Sequence, residues 1–131
     1  MKFNALVPEM SVRDIDISKD FYLNIIGFKL EYERVEDRFA FLSLGEAQLM
    51  IEEIGDGWYT GDMDYPLGRG INFQIGVSDV ESIYNRVISA GISLFRDIKV
   101  NSYDTSSGVV QDKEFLVQDP DGYLLRFSQQ L

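Results

Sequence analysis

The chain has 131 residues, 45% of them hydrophobic, and a formal net charge of −10. This length allows one domain, or two small halves that share a core, and the negative charge argues against nucleic acid or an anionic membrane as a partner. The sequence contains no cysteine and no histidine, which excludes disulfides, thiolate and serine–histidine catalysis, and zinc sites built from those residues. The N-terminus lacks a signal-peptide core and no apolar run is long enough to span a membrane, so a cytoplasmic protein is expected.

The first half of the chain predicts the order β-α-β-β-β. Its helix, residues 14–26, carries apolar side chains on one face, can be capped by Asp14 or Asp16, and ends at Gly27. The strands around it are expected at residues 3–8, 28–35, 39–44 and 47–54.

The segment 55–70 differs in composition from the rest of the chain. It holds five glycines, one proline and three carboxylates, together with the only tryptophan, Trp58, and its neighbour Tyr59. The glycines predict a loop. Aromatic side chains in such a loop either cover a ligand or pack on the other half or on a second subunit, and the sequence leaves both open.

The second half repeats the same order about 65 residues later, counted from Asp14 to Asp79. A strand over residues 71–77 leads into a helix over residues 79–90, for which Ser78 and Glu81 fit a capping box. Further strands are expected near residues 92–98, 114–118 and 123–128, with a polar loop over 101–108 and a turn over 119–122. The repeat indicates an α+β protein with two pseudo-symmetric modules.

Particular motifs in the sequence resemble those of a known protein superfamily. Two β-α-β-β-β modules, the Phe21-Tyr22 pair ahead of Gly27-Phe28, and the Asp119-Pro120-Asp121-Gly122-Tyr123 turn resemble the vicinal-oxygen-chelate superfamily over essentially the entire chain. That superfamily includes glyoxalase I, extradiol dioxygenases and bleomycin-resistance proteins. The resemblance implies a cupped, split-barrel sheet with helices on the outside, usually within a dimer. The modules are expected at residues 1–54 and 71–131, joined by the linker loop 55–70.

The resemblance also marks the positions at which metal-dependent members hold their ion. These positions match Val7, Asn72 and Arg126 in this sequence. Val7 has no lone pair and Arg126 is a permanent cation, so only Asn72 could offer an oxygen. No metal, no other cofactor and no catalytic residue is therefore expected.

Among the members of the superfamily, the chain most resembles the acidic bleomycin-resistance proteins, which sequester a cationic, aromatic glycopeptide in grooves at a dimer interface. The segment 35–40 matches the one in which they carry a cup-facing Phe, here Phe39. Two further groove aromatics are missing, because they match Gln74 and either Gln111 or Asp112. Trp58, Tyr59 or Tyr103 are possible replacements.

The period of two along a strand adds further candidates. If Asn72 and Arg126 face the cup, Gln74 faces it too. Arg126 then needs a carboxylate partner from the protein or from the ligand, and Glu52 or Glu53 is the candidate within the protein. The predicted ligand-binding residues are Phe39, Glu52, Trp58, Tyr59, Asn72, Gln74, Gln111 and Arg126.

The resemblance thus implies a metal-independent homodimer that sequesters a cationic, aromatic antibiotic of the bleomycin type. The negative charge suits such a ligand, although it is equally explained by solubility. Two alternatives stay open: an enzyme of the same fold, such as an isomerase, lyase or dioxygenase relative with unusual or no metal ligands, and a small-molecule sensor.

Overall fold

The computed structural model describes residues 1–131 and divides them into two compact units, unit 1 (Met1–Leu67) and unit 2 (Gly68–Leu131). Unit 1 contains, in chain order, strand β1 (Glu9–Val12), helix α1 (Ile15–Lys19) continued by a π-helical segment (Asp20–Ile26), and strands β2 (Lys29–Arg34), β3 (Phe39–Leu44) and β4 (Ala47–Glu53). They form a four-stranded sheet of order β1-β4-β3-β2, in which β1 runs parallel to β4 and the other pairs are antiparallel.

Unit 2 has the same plan. It contains strand β5 (Asn72–Gly76), helix α2 (Val80–Ser89), and strands β6 (Arg96–Thr105), β7 (Gly108–Gln118) and β8 (Leu124–Gln130). Its sheet has the order β5-β8-β7-β6, with β5 parallel to β8. The α+β class and the two β-α-β-β-β modules predicted from the sequence are confirmed. No helix combines the length and the apolar character that crossing a bilayer requires.

Each helix packs on one face of its own sheet. In unit 1 the hydroxyl of Tyr22 approaches the sulfur of Met10 on β1, and in unit 2 the ring of Tyr84 meets Phe115 on β7 edge to face. Because side chains alternate along a strand, every second residue points to the opposite face of the sheet, which we call the helix-free face. The polar candidates Glu52, Asn72, Gln74 and Arg126 lie there, whereas Gln111 lies on the helix side of β7, the side of Lys113 and Phe115.

The helix ends follow the local signals in the sequence. The side chain of Asp14 accepts from the backbone N–H groups of Asp16 and Ile17, and Asp79 accepts from that of Ser82. These aspartates satisfy N–H groups that have no partner inside the helix. The predicted capping box is therefore wrong, since the cap of α2 is Asp79.

Three predictions about the strands are wrong in whole or in part. The first strand begins at Glu9 instead of residue 3, because Pro8 lacks an N–H and contributes only its carbonyl, which accepts from Met50. The polar segment 101–108 is a β-hairpin instead of a loop, with β6 continuing to Thr105. Its hydrophilic side chains are compatible with strands because most of them are exposed. The strand expected near residues 92–98 begins only at Arg96.

The turn between β7 and β8 depends on one buried carboxylate. Asp119 is buried, and its side chain accepts from the backbone N–H groups of Asp121 and Tyr123, both at 2.9 Å. Asp119→Ala should therefore lower the free energy of unfolding by about 2 kcal/mol, since two buried donors lose their acceptor. Urea denaturation followed by circular dichroism measures this loss. Asp119→Asn keeps an acceptor oxygen and should cost less than half as much. If both substitutions cost the same, the side-chain acceptor of residue 119 does not stabilise the turn.

Candidate functional site

Unit 1 carries a small pocket with acidic and aromatic walls on its helix-free face. The pocket has a volume of about 250 Å³. Glu9 enters it from β1 and Glu52 from the neighbouring strand β4, and the loop after β4 adds Trp58 and Tyr59. We call this cavity the acidic–aromatic pocket; its remaining lining residues are Ser11, Met50, Glu53 and Gly57. Three of the predicted ligand-binding residues, Glu52, Trp58 and Tyr59, thus come together here.

The carboxylate of Glu9 is affected by its surroundings in the pocket. Partial burial raises the pKa of Glu9 above its ordinary value, the charge of Glu52 raises that pKa further, and the positive charge of Arg34 partly offsets both. Arg34 forms its ion pair with Asp37, outside the pocket. The pocket therefore favours a positive charge, because a cation placed between Glu9 and Glu52 relieves the repulsion between them.

The two loop aromatics are held to different degrees. The hydroxyl of Tyr59 accepts from the backbone N–H groups of Gly55 at 2.8 Å and of Gly57 at 3.3 Å, which fixes the ring against the loop. Trp58 is 97% exposed, so nothing in the chain buries its indole. Tyr59 is thus a preformed wall, and Trp58 is an uncovered ring beside the acidic groups.

Phe39, predicted from the resemblance, lies in an aromatic cluster next to the pocket. Its ring is 3% exposed and it pairs across the sheet with Glu52. Tyr32 stacks on Phe41 at a centroid distance of 5.3 Å, and Phe3 meets Phe41 edge to face. Tyr32 and Phe41 are not among the predicted site residues, although the period of two along β3 places Phe41 on the same face as Phe39.

Arg126, on β8 in unit 2, is paired within its own sheet. Its guanidinium lies 3.2 Å from Glu114 on β7 and 3.4 Å from the amide oxygen of Asn72 on β5. Glu114 also accepts from Arg96 at 2.6 Å. Arg126 and Asn72 are therefore brought together as predicted, but the expected partner Glu52 or Glu53 is wrong. The carboxylate of Glu53 instead accepts from the backbone N–H of Ile15 and lies 3.3 Å from Arg38.

Unit 2 has a polar cavity of its own, of about 570 Å³. Gln74 lines it, as does the buried Asp112, which accepts from Ser128 at 2.8 Å. Gln111 does not line this cavity; its side chain is exposed, and its backbone carbonyl accepts from Leu131. Gln111 and Asp112 are the alternative matches for one missing aromatic, and of these two only Asp112 lies at the cavity. Its other lining residues are Gly76, Val77, Ser78, Tyr103, Thr105, Val110 and Gln130.

The residues at the positions of the family's metal ligands do not fit a metal ion. Val7 offers no donor atom, Arg126 is a cation engaged with Glu114, and the amide oxygen of Asn72 faces that cation. No group of three or more Asp or Glu side chains is arranged to hold a metal ion. The chemistry of this surface is therefore that of hydrogen bonds, charges and aromatic faces.

Comparison with known proteins agrees with this architecture. Residues 3–127 match the family model described as Glyoxalase/Bleomycin resistance protein/Dioxygenase superfamily. A protein of Geobacillus stearothermophilus named "Bleomycin resistance protein" is 29% identical over 135 residues, which cover 95% of this chain and 96% of the relative. Proteins of the same name from Staphylococcus aureus match equally well.

Solved structures confirm the fold. A glyoxalase/bleomycin resistance protein/dioxygenase from Alicyclobacillus acidocaldarius is 24% identical, with a TM-score of 0.67 over 98% of this chain and 92% of that chain. TioX from Micromonospora sp. ML1 is also 24% identical, with a TM-score of 0.70 over 98% of this chain and all of its own. At these identities the likeness establishes the fold alone.

Proposed function

The chain belongs to the glyoxalase/bleomycin resistance protein/dioxygenase superfamily, and from that premise we propose that it is a metal-independent binding protein that sequesters a cationic, aromatic antibiotic of the bleomycin type. Relatives named for bleomycin resistance match nearly its whole length and support this role. We further propose that the protein is a cytoplasmic homodimer with ligand grooves at the subunit interface. Within each subunit, we propose that the modules span residues 1–54 and 71–131 and that the loop 55–70 links them.

The acidic–aromatic pocket is the observation that carries the proposal. A ligand ammonium or guanidinium placed between Glu9 and Glu52 would donate one charge-assisted hydrogen bond to each carboxylate, and such bonds are about twice as strong as neutral ones. The faces of Trp58 and Tyr59 add cation–π attraction to the same group. With a volume of about 250 Å³, the pocket suits one cationic or planar group of a larger ligand.

The polar cavity of unit 2 suits a different part of such a ligand. Its lining includes the amide side chain of Gln74, the hydroxyl side chain of Ser78 and the phenol side chain of Tyr103. These groups both donate and accept hydrogen bonds, and the ring of Tyr103 offers an apolar surface. We assign this cavity to uncharged portions of the ligand that are rich in hydroxyl and amide groups.

Glu52→Gln and Glu9→Gln should each weaken bleomycin binding about 10-fold, which corresponds to about 1.4 kcal/mol. Each change removes one charged acceptor from the pocket and leaves the shape of the side chain intact. Calorimetric titration of the purified protein measures the affinity. Quenching of Trp58, the only tryptophan, reports binding at the pocket independently.

The matched control is Glu46→Gln, which changes the net charge equally at the exposed β3–β4 turn. It should leave the affinity within 2-fold of the original protein, because a surface charge outside the pocket is screened by salt. If all three variants bind alike, the pocket is not the site. If the original protein does not bind bleomycin at all, the proposed ligand is wrong.

A further inference from the structure

The face of Phe39 is covered by a cation that belongs to the chain itself. The guanidinium carbon of Arg34 lies 3.9 Å from the centre of the Phe39 ring. The two residues are direct neighbours across β2 and β3, so the contact is fixed by the register of the hairpin. This arrangement is a cation–π pair, and it occupies a surface on which a flat, positively charged ligand group would otherwise stack.

Arg34 is held over the ring by the turn that follows it. Its Nε donates to the carboxylate of Asp37 at 3.0 Å, while the backbone N–H of Asp37 donates to the carbonyl of Arg34. Both side chains are about half exposed, 49% for Arg34 and 63% for Asp37. An exposed ion pair of this kind contributes little free energy. The guanidinium can therefore leave the ring without disturbing the sheet.

The position of Arg34 also connects it to the acidic–aromatic pocket. Phe39, the ring that it covers, pairs across the sheet with Glu52. The positive charge of Arg34 lowers the pKa of Glu9, against the upward effects of burial and Glu52. One side chain thus covers the face of Phe39 and acts electrostatically on Glu9.

We propose that Arg34 is a resident cation that a ligand must displace, and that it thereby sets which ligands the site accepts. This inference rests on the proposed function and deepens it. A ligand that brings both a planar ring and a positive charge replaces two interactions of Arg34: its contact with the Phe39 ring and its electrostatic attraction to Glu9. A neutral aromatic compound replaces only the contact with the ring and is excluded. Arg34 is thus a specificity-determining residue.

Arg34→Gln should bind bleomycin about 3- to 10-fold more tightly than the original protein, because the ring is uncovered and the carboxylates lose a competing cation. Asp37→Asn weakens the contact that holds Arg34 over the ring and should give a smaller increase in affinity. Thioflavin T, a planar cationic dye, serves as a second probe by its fluorescence, and its affinity should rise in the same order. Both titrations are performed at low salt and at 0.5 M NaCl.

The control for charge alone is Lys29→Gln, a substitution of an exposed cation at the start of β2. It should change neither affinity by more than 2-fold. At high salt the gain of Arg34→Gln should persist in part, since uncovering the ring does not depend on long-range charge. In the variant that combines Arg34→Gln with Phe39→Leu the gain should disappear, provided that circular dichroism shows a folded protein.

The outcomes separate this inference from the proposed function. If Glu52→Gln weakens bleomycin binding but Arg34→Gln behaves like Lys29→Gln, the proposed function stands and the role of Arg34 is wrong. If bleomycin binds to none of the proteins but Arg34→Gln gains affinity for thioflavin T, the role of Arg34 stands and the ligand is wrong. Failure of both probes to bind any variant overturns both.

Discussion

Glu114→Gln is expected to lower the free energy of unfolding by about 3 kcal/mol. Glu114 is 2% exposed and lies between two guanidiniums, with Arg96 at 2.6 Å and Arg126 at 3.2 Å. Removing one partner of a buried pair usually costs about 3–5 kcal/mol, because the remaining charge is left without compensation. The lower end applies here, since the side chains of Arg96 and Arg126 are 38% and 33% exposed and water can solvate them in part.

The matched control for this prediction is Arg126→Gln. Glu114 then retains Arg96 as a partner, so we expect a loss of only about 1 kcal/mol. Urea denaturation followed by far-ultraviolet circular dichroism is suitable for both variants. Tryptophan fluorescence is not, because Trp58 is already exposed in the folded chain. If Glu114→Gln costs no more than Arg126→Gln, Glu114 is not the centre of the network.

Gly68→Ala is expected to destabilise the protein by a similar amount, about 3 kcal/mol. Gly68 has a φ of +71°, and an added Cβ would lie 2.4 Å from Cδ1 of Tyr123. The left-handed backbone costs about 1–2 kcal/mol for a residue with a Cβ, and overpacking adds about 1–3 kcal/mol. Tyr123 cannot easily move away, because its ring is buried and its backbone belongs to the turn that Asp119 holds.

Gly45 provides the control for backbone strain alone. It has a φ of +59°, and an added Cβ would meet nothing within 4 Å. Gly45→Ala should therefore cost only about 1 kcal/mol. The difference between the two denaturation midpoints measures the steric part at Gly68. Equal costs at both positions would show that the contact with Tyr123 relaxes freely.

The features that the sequence predicts well are those with local causes. Asp14 caps the first helix and Gly27 ends it, because each depends only on its own turn of backbone. The hairpin through Gly45 follows from equally local signals. Helix spacing and turn residues therefore suffice for the class and the order of elements.

Features that depend on register between strands are not visible in the sequence. Glu114 precedes the apolar run Phe115-Leu116-Val117, and its role in the ion-pair network arises only because β6 and β8 place arginines on either side of it. Phe39 was predicted as a contact residue, but its cover by Arg34 depends on which side chains oppose each other across β2 and β3. The β6–β7 hairpin was missed because its polar composition resembles that of a loop.

The two units repeat the same capped helix on the same order of strands, yet their helix-free faces differ. One presents carboxylates and aromatic rings, and the other presents amides, hydroxyls and paired arginines. A duplicated scaffold of this kind separates the residues that keep it folded from those that meet a ligand. Substitutions can therefore change the helix-free face of one unit while the capped helix and the strand order of both units stay the same.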